Sequence, residues 1–199
     1  MASELENESA LITAAMQGNI TAFNTIVIHY QDRVFSLAYR ILGERQSAAD
    51  AAQDAFITAY RRLETYRGGS FRAWLFRVTT NTCYDELRRS KRRPAEALEE
   101  LPGAELDDGP PLASDAPSPE ETVQDSELTR AIEDCIQGLQ PDQRTILVLS
   151  DVEGFSYQDI ADMTGVNLGT VKSRLSRARA GVRNCLSVVK ELLPSVYRL

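Results

Sequence analysis

The chain has 199 residues, 43% of them hydrophobic and 7% aromatic, with a formal net charge of −7. That length accommodates one or two small domains, and the composition fits a mostly helical globular protein. No apolar run reaches the ~20 residues of a membrane span and the acidic N-terminus lacks a signal-peptide pattern, so direct membrane insertion is not expected and a cytoplasmic location is.

The elements read as helices from the start. "ESALITAAMQGN" places Leu11, Ala14 and Ala15 at helical spacing, and Gly18-Asn19 ends it. In "TAFNTIVIHYQDRVFSLAYRILG" an apolar stripe runs through Ile26, Tyr30, Val34, Leu37 and Ile41, with Gly43 as the residue past the end. "SAADAAQDAFITAYRRL" predicts a third helix with Ser47 as N-cap and Asp50 completing a capping box. Ala51, Ala55 and Tyr60 would line its inner side, while Asp50, Gln53, Asp54 and Arg61 face out.

"ETYRGG" breaks that helix, and "SFRAWLFRVTTNTCYDELRRSKRR" restarts it behind Ser70, to be stopped by Pro94. Phe71, Leu75, Val78 and either Thr82 or Cys83 can pack inward. Arg72, Arg77, Asn81, Tyr84, Arg88, Arg89, Lys91, Arg92 and Arg93 form the polar surface, with Trp74, Phe76 and Tyr84 as aromatic faces near the cations. Rings that stack bases, cations that meet phosphates and an amide that reads a base edge are what unpaired nucleic acid requires. Trp74 and Phe71 fit a core role as well.

Next comes "PAEALEELPGAELDDGPPLASDAPSPEETVQD", rich in proline and acid and free of aromatics. Such a segment buries too little apolar surface to offset its ordering entropy, and it predicts a flexible tether. It would either solubilise only, or also span distance and shield the basic patches.

Beyond it Leu128, Ile132 and Ile136 stripe one short helix, and Pro141 opens another containing Ile146, Leu147 and Leu149. Ser156 and Asp159 make a capping box, Gly165 permits a tight turn, and a helix over 168–190 follows. Ala161 four residues before Gly165 and Val171 six after it are the spacing of a helix-turn-helix. In that register Ile160, Val171, Leu175, Ala178 and Val182 are buried. Lys172, Ser173, Ser176, Arg177 and Arg179 face out, with Arg174 at the margin. Thr170 lies near the helix start, where free amides meet phosphate.

Charge follows the same division. Residues 67–93 carry eight bases and two acids, and residues 167–190 carry six bases and no acid; between them, residues 94–127 carry eleven acids and no base. Two cationic patches inside an acidic protein fit a polyanion held at two places. Cys83, Cys135 and Cys185 are odd in number and widely spaced, and are expected as buried or half-buried thiols. With a single histidine, His29, no zinc cluster is expected, and no cofactor. No nucleophile–base pair stands out, so the chain is not expected to be an enzyme.

Taken in series, "SAADAAQDAFITAYRRL", "YRGGSFRAWLFRVTTNTCYDELRRSKRR" and "LQPDQRTILVLSDVEGFSYQDIADMTGVNLGTVKSRLSRAR" resemble bacterial extracytoplasmic-function sigma factors, group four of the sigma-70 class. The resemblance implies an all-α protein of two small helical domains, 1–93 and 126–194, joined by a flexible acidic linker, 94–125. It implies docking of Asp50, Gln53, Asp54 and Phe56 on the β′ coiled coil of core RNA polymerase, and of the C-terminal domain on the β flap. The loop Arg67, Gly68, Gly69 and Ser70, with Arg77, Asn81, Tyr84, Arg88, Arg89, Arg92 and Arg93, would open the −10 element of promoter DNA. Lys172, Ser173, Ser176 and Arg177 would read the −35 duplex, and Thr170, Arg174 and Arg179 its phosphates. An anti-sigma factor is an implied partner. The rival reading is a stand-alone helix-turn-helix regulator, dimeric on palindromic DNA; the second, aromatic-rich basic patch stands against it.

Overall fold

The computed structural model describes residues 7–92 and 119–188, without the side chains of 91–92 and 119–127. Of the expected linker, residues 94–118 lie outside the described residues, as do Arg93 and the side chain of Arg92; its last part, 119–125, is not a tether but the start of a helix. Every regular element among the described residues is helical, in two clusters. The first holds α1 (Glu8–Met16), α2 (Ile20–Leu42), α3 (Arg45–Arg61) and α4 (Phe71–Arg92). The second holds α5 (Pro119–Gln137), α6 (Pro141–Leu147), α7 (Tyr157–Thr164) and α8 (Leu168–Leu186). A π-helical turn, Val148–Val152, extends α6.

The long α2 is the spine of the first cluster. Its predicted stripe of Ile26, Tyr30, Val34, Leu37 and Ile41 is buried, and Asn19 caps it by accepting a hydrogen bond from the Ala22 amide. Gly43 ends it at φ 82°, donating its amide to the Tyr39 carbonyl, as a left-handed residue past a helix end does. Small residues on α3, among them Ala48, Ala51, Ala55 and Ala59, let its backbone lie close to α2 and α4. The predicted Ser47 cap is not formed. Helix α3 starts three residues earlier, at Arg45, because the Glu44 carboxylate reaches the amides of Gln46 (2.7 Å) and Ser47 (2.5 Å). A carboxylate there satisfies two orphan donors and also meets the positive end of the helix dipole. Tyr60 also departs from its predicted place: it is 41% exposed and leans on Phe23 at 4.9 Å between ring centroids.

In the second cluster α8 packs on α5, α6 and α7. Pro141 starts α6, and Ile146, Leu147 and Leu149 are buried. Ser156 and Asp159 form the predicted reciprocal cap, typically worth ~1 kcal/mol. Gly165 turns the chain at φ 70°. Ile160, Val171, Leu175 and Ala178 are buried as the register predicts, whereas Val182, expected with them, is half-buried. Truncating a fully buried Leu such as Leu175 to Ala costs ~2–5 kcal/mol.

The two clusters also pack on each other, α4 against α7 and α2 against α5 and α6, so their buried residues form one continuous core. This arrangement corrects three expectations. Phe76 offers no open face: it is fully buried, edge-on to Phe155 at 5.5 Å. Arg72 is not free surface: its guanidinium stacks on Phe76 and Phe155 and donates to the Glu153 carboxylate at 2.6 Å and carbonyl at 2.8 Å. Of the three expected thiols only Cys83 is free, because Cys135 and Cys185 are joined in a disulfide between α5 and α8.

Candidate nucleic-acid interface

The first cationic surface lies on α4 and the loop before it. Gly68 and Gly69 both adopt positive φ, 93° and 87°, so the loop at Arg67–Ser70 takes a path closed to most side chains. Tyr66, not singled out from sequence, holds that path by donating its hydroxyl to the Gly69 carbonyl at 2.6 Å. The Tyr66 ring meets Phe71 and Trp74 edge-on, anchoring the loop to the start of α4. Ser70 caps α4 through the Ala73 amide at 3.2 Å. Phe71 is buried and Trp74 half-buried, so the core role wins for the first and both roles stay open to the second.

Further along α4, Arg77, Asn81, Arg88 and Arg89 are exposed. Arg88 pairs with Asp85 at 2.7 Å and Arg89 with Glu86 at 2.9 Å, exposed contacts within the helix that are weak in water. Tyr84 differs from these neighbours. It is half-buried against Thr145 of the second cluster, and burial pushes its phenol above its usual pKa.

An acidic groove runs between α3 and α4, lined by Asp50, Asp54, Ile57, Arg61, Asp85 and Glu86 among others. Asp50, Gln53 and Asp54 are exposed, as their helical positions predict, and Phe56 is half-buried beside them.

The second cationic surface is the outer side of α8. Asn167 caps the helix by accepting from the Thr170 amide at 2.8 Å. Lys172, Ser173, Ser176, Arg177 and Arg179 are exposed and Arg174 is half-buried, as the register predicts. The arginines nevertheless divide into two kinds. Arg174 pairs with Asp142 at 2.7 Å, and Arg179 forks onto Asp151 through Nε at 2.9 Å and Nη2 at 2.7 Å. The fork raises the Arg179 pKa and holds the Asp151 carboxyl below its ordinary value. Lys172 and Arg177 have no carboxylate partner among the described residues. Asp142 and Asp151 were missed in the sequence because they lie on a helix and a turn that only the fold brings beside α8.

Where the clusters meet, Arg144 is buried and bonds Gln137, and Gln137 donates to the Tyr39 and Arg40 carbonyls at 3.2 and 3.3 Å. A side chain of the second cluster thus caps the C-terminus of α2, whose dipole also favours a buried cation. Glu133 adds a 3.3 Å pair with Arg40.

Comparison with known proteins points the same way. Residues 26–93 match the family described as sigma-70 region 2, and residues 129–180 match sigma-70 region 4. RNA polymerase sigma-H factor of Pseudomonas aeruginosa is 37% identical over 182 residues, covering 91% of this chain and 94% of that one. The ECF RNA polymerase sigma-E factor of Haemophilus influenzae is 38% identical over 185 residues, covering 92% and 97%. Among solved structures, CnrH in complex with the cytosolic domain of CnrY matches with TM-score 0.60 at 25% identity, covering 91% of this chain and 97% of CnrH. The sigma factor RpoE of Bartonella quintana, solved with the anti-sigma factor NepR, shares the fold with TM-score 0.62 at 24% identity, covering 83% and 97%. No helix among the described residues is long and apolar enough to cross a membrane.

Proposed function

The chain belongs to the extracytoplasmic-function sigma factors of the sigma-70 family, and from that premise we propose which of its surfaces performs each part of transcription initiation. A sigma factor directs RNA polymerase to promoters and is not itself catalytic; phosphoryl transfer belongs to the polymerase. In our reading, residues 1–93 bind core polymerase and open the −10 element, residues 94–125 connect, and residues 126–194 read the −35 element.

Asp50, Gln53 and Asp54, with Phe56 beside them, take the β′ coiled coil. Exposed acids next to a groove suit a basic partner helix, steering its approach and pairing on contact. The Arg67–Ser70 loop and Asn81 hold an extruded base, with Arg77, Arg88 and Arg89 on the strand's phosphates and Arg92 and Arg93 continuing that line. Extrusion costs a few kcal/mol of stacking, which a pocket with a ring and an amide can offset. Lys172, Ser173, Ser176 and Arg177 read base edges in the major groove. Thr170 contacts phosphate directly; Arg174 and Arg179 do so by exchanging Asp142 and Asp151 for DNA oxygens.

The observation that carries this reading is the exposed row of Lys172, Ser176 and Arg177 on α8, behind a left-handed turn at Gly165. Tyr84 adds a condition. It can stack on an unpaired base only when α6 moves off α4, so productive binding requires the clusters to separate. Core polymerase would supply that separation through the β′ coiled coil and the β flap. An anti-sigma factor, as NepR is for RpoE of Bartonella quintana, would oppose it by covering the same faces. These roles place the protein in the cytoplasm.

Run-off transcription with purified core polymerase tests the reading. Specific transcripts are expected only with the chain present, and loss of that dependence would remove it.

A further inference from the structure

We propose that Cys135 and Cys185 are a reversible oxidation site, closed by hydrogen peroxide and opened by a small thiol reductant, whose state sets how firmly the two helical clusters hold each other. The two cysteines join α5 to α8 with 5.7 Å between their α-carbons, across 50 residues of sequence. A protein that works on RNA polymerase operates where thiols are kept reduced, and disulfides found there are usually transient and sensing.

The two cysteines divide the chemistry. Cys185 lies at an exposed position near the end of α8, open to oxidant and reductant, whereas Cys135 is only 5% exposed. In the dithiol form the Cys185 thiolate attacks the peroxide oxygen, giving a sulfenic acid and releasing water once the leaving oxygen is protonated. The Cys135 sulfur then displaces the sulfenic oxygen as a second water, so two thiols and one peroxide become one disulfide and two waters. A reducing thiolate reverses the step at Cys185, and a second thiol completes it, leaving the reductant as its own disulfide. Cys83 takes no part: it is fully buried, and burial pushes its thiol up to about 12.

The consequence follows from what flanks Cys135. Two residues before it, Glu133 pairs with Arg40; two residues after it, Gln137 caps the end of α2 and bonds Arg144. The contacts from α5 to the first cluster therefore bracket the bridged cysteine. With the disulfide formed, α5 is fixed to α8 and presents these groups in register. With it open, α5 is no longer tied to α8 and keeps only its non-covalent contacts, the packing of Ile136 in the core and the Glu133 and Gln137 bonds, so the closed arrangement weakens. Oxidation thus favours the closed form, in which Tyr84 and Arg72 are covered.

The test uses the full chain, in hydrogen peroxide and in dithiothreitol, read by native alkylation with intact mass and by small-angle X-ray scattering. Peroxide should block both reactive thiols, dithiothreitol should restore two alkylation sites, and Cys83 should react only after unfolding. The reduced protein should show a larger radius of gyration than the oxidised one. Cys185→Ser and Cys135→Ser, each checked by circular dichroism, should hold the larger radius in either reagent. A bridge that resists dithiothreitol in the native state, a bridge that never forms, or equal radii in both states would each overturn the proposal. None of these readouts depends on transcription, so they succeed or fail separately from the residue roles assigned to initiation.

Discussion

Two glycines offer a controlled comparison at the junction between the clusters. Gly43 and Gly165 both end helices in the left-handed region, at φ 82° and 70°. Alanine at either position therefore carries the same backbone cost, about 1–2 kcal/mol. The surroundings differ. A β-carbon at Gly165 meets nothing within 4 Å, whereas one at Gly43 would stand 2.7 Å from Gln137 Oε1 and 3.3 Å from Arg144 Nη1. Gln137 must then move, giving up its hydrogen bonds to the Tyr39 and Arg40 carbonyls and its bond from Arg144. At ~1 kcal/mol per bond the extra cost is about 1–3 kcal/mol, so Gly43→Ala should total about 2–5 kcal/mol. Guanidinium unfolding read by Trp74, the only tryptophan, reports the cluster that contains Gly43. Adding Gln137→Ala to Gly43→Ala removes the clash, and the double variant should lose less than the sum of the singles. Equal losses for Gly43→Ala and Gly165→Ala, or strict additivity in the cycle, would refute the idea that Gln137 clasps the end of α2.

Other outcomes follow from the same geometry. Arg177→Ala should weaken binding of the upstream duplex by the holoenzyme by about 1–3 kcal/mol in a fluorescence-anisotropy titration, with core binding unchanged. Asn81→Ala should slow promoter opening, followed by permanganate reactivity of unpaired thymines, while leaving affinity for core polymerase near wild type. The Asp151–Arg179 pair should add stability above the ordinary carboxylate range near pH 4 and lose it as pH falls through the depressed value in the folded protein. Both partners are part-exposed, so the loss should be about 0.5–1 kcal/mol in acid titrations of stability, and Asp151→Asn should flatten it.

Much of the fold was legible where a local rule decides the structure. The α2 stripe, the Gly43 and Gly165 turns, the Ser156–Asp159 cap and the buried face of the helix-turn-helix follow from spacing and cap chemistry alone. The α3 start did not, because two caps competed: Ser47 with Asp50, and Glu44, whose longer side chain reaches two amides. For helix α4 the apolar spacing predicts one buried face. It has two, one toward α2 and α3 and one toward α6 and α7, so Phe76, Arg72 and half of Tyr84 are covered by a cluster more than sixty residues away. The pairing of Cys135 with Cys185 is likewise a product of tertiary packing, since no short motif links residues 50 apart. The exposed cations of α8 were legible from the helical register, but the carboxylates that hold Arg174 and Arg179 were not.

Two separated DNA contacts made by one chain are directly observable by site-specific photocrosslinking from positions 81 and 177 in the holoenzyme. The crosslink from position 81 should fall on unpaired strand near the start site, and that from position 177 on upstream duplex, both only when core polymerase is present. Crosslinks from both positions to one DNA segment, or equally strong crosslinks without polymerase, would contradict the two-contact reading.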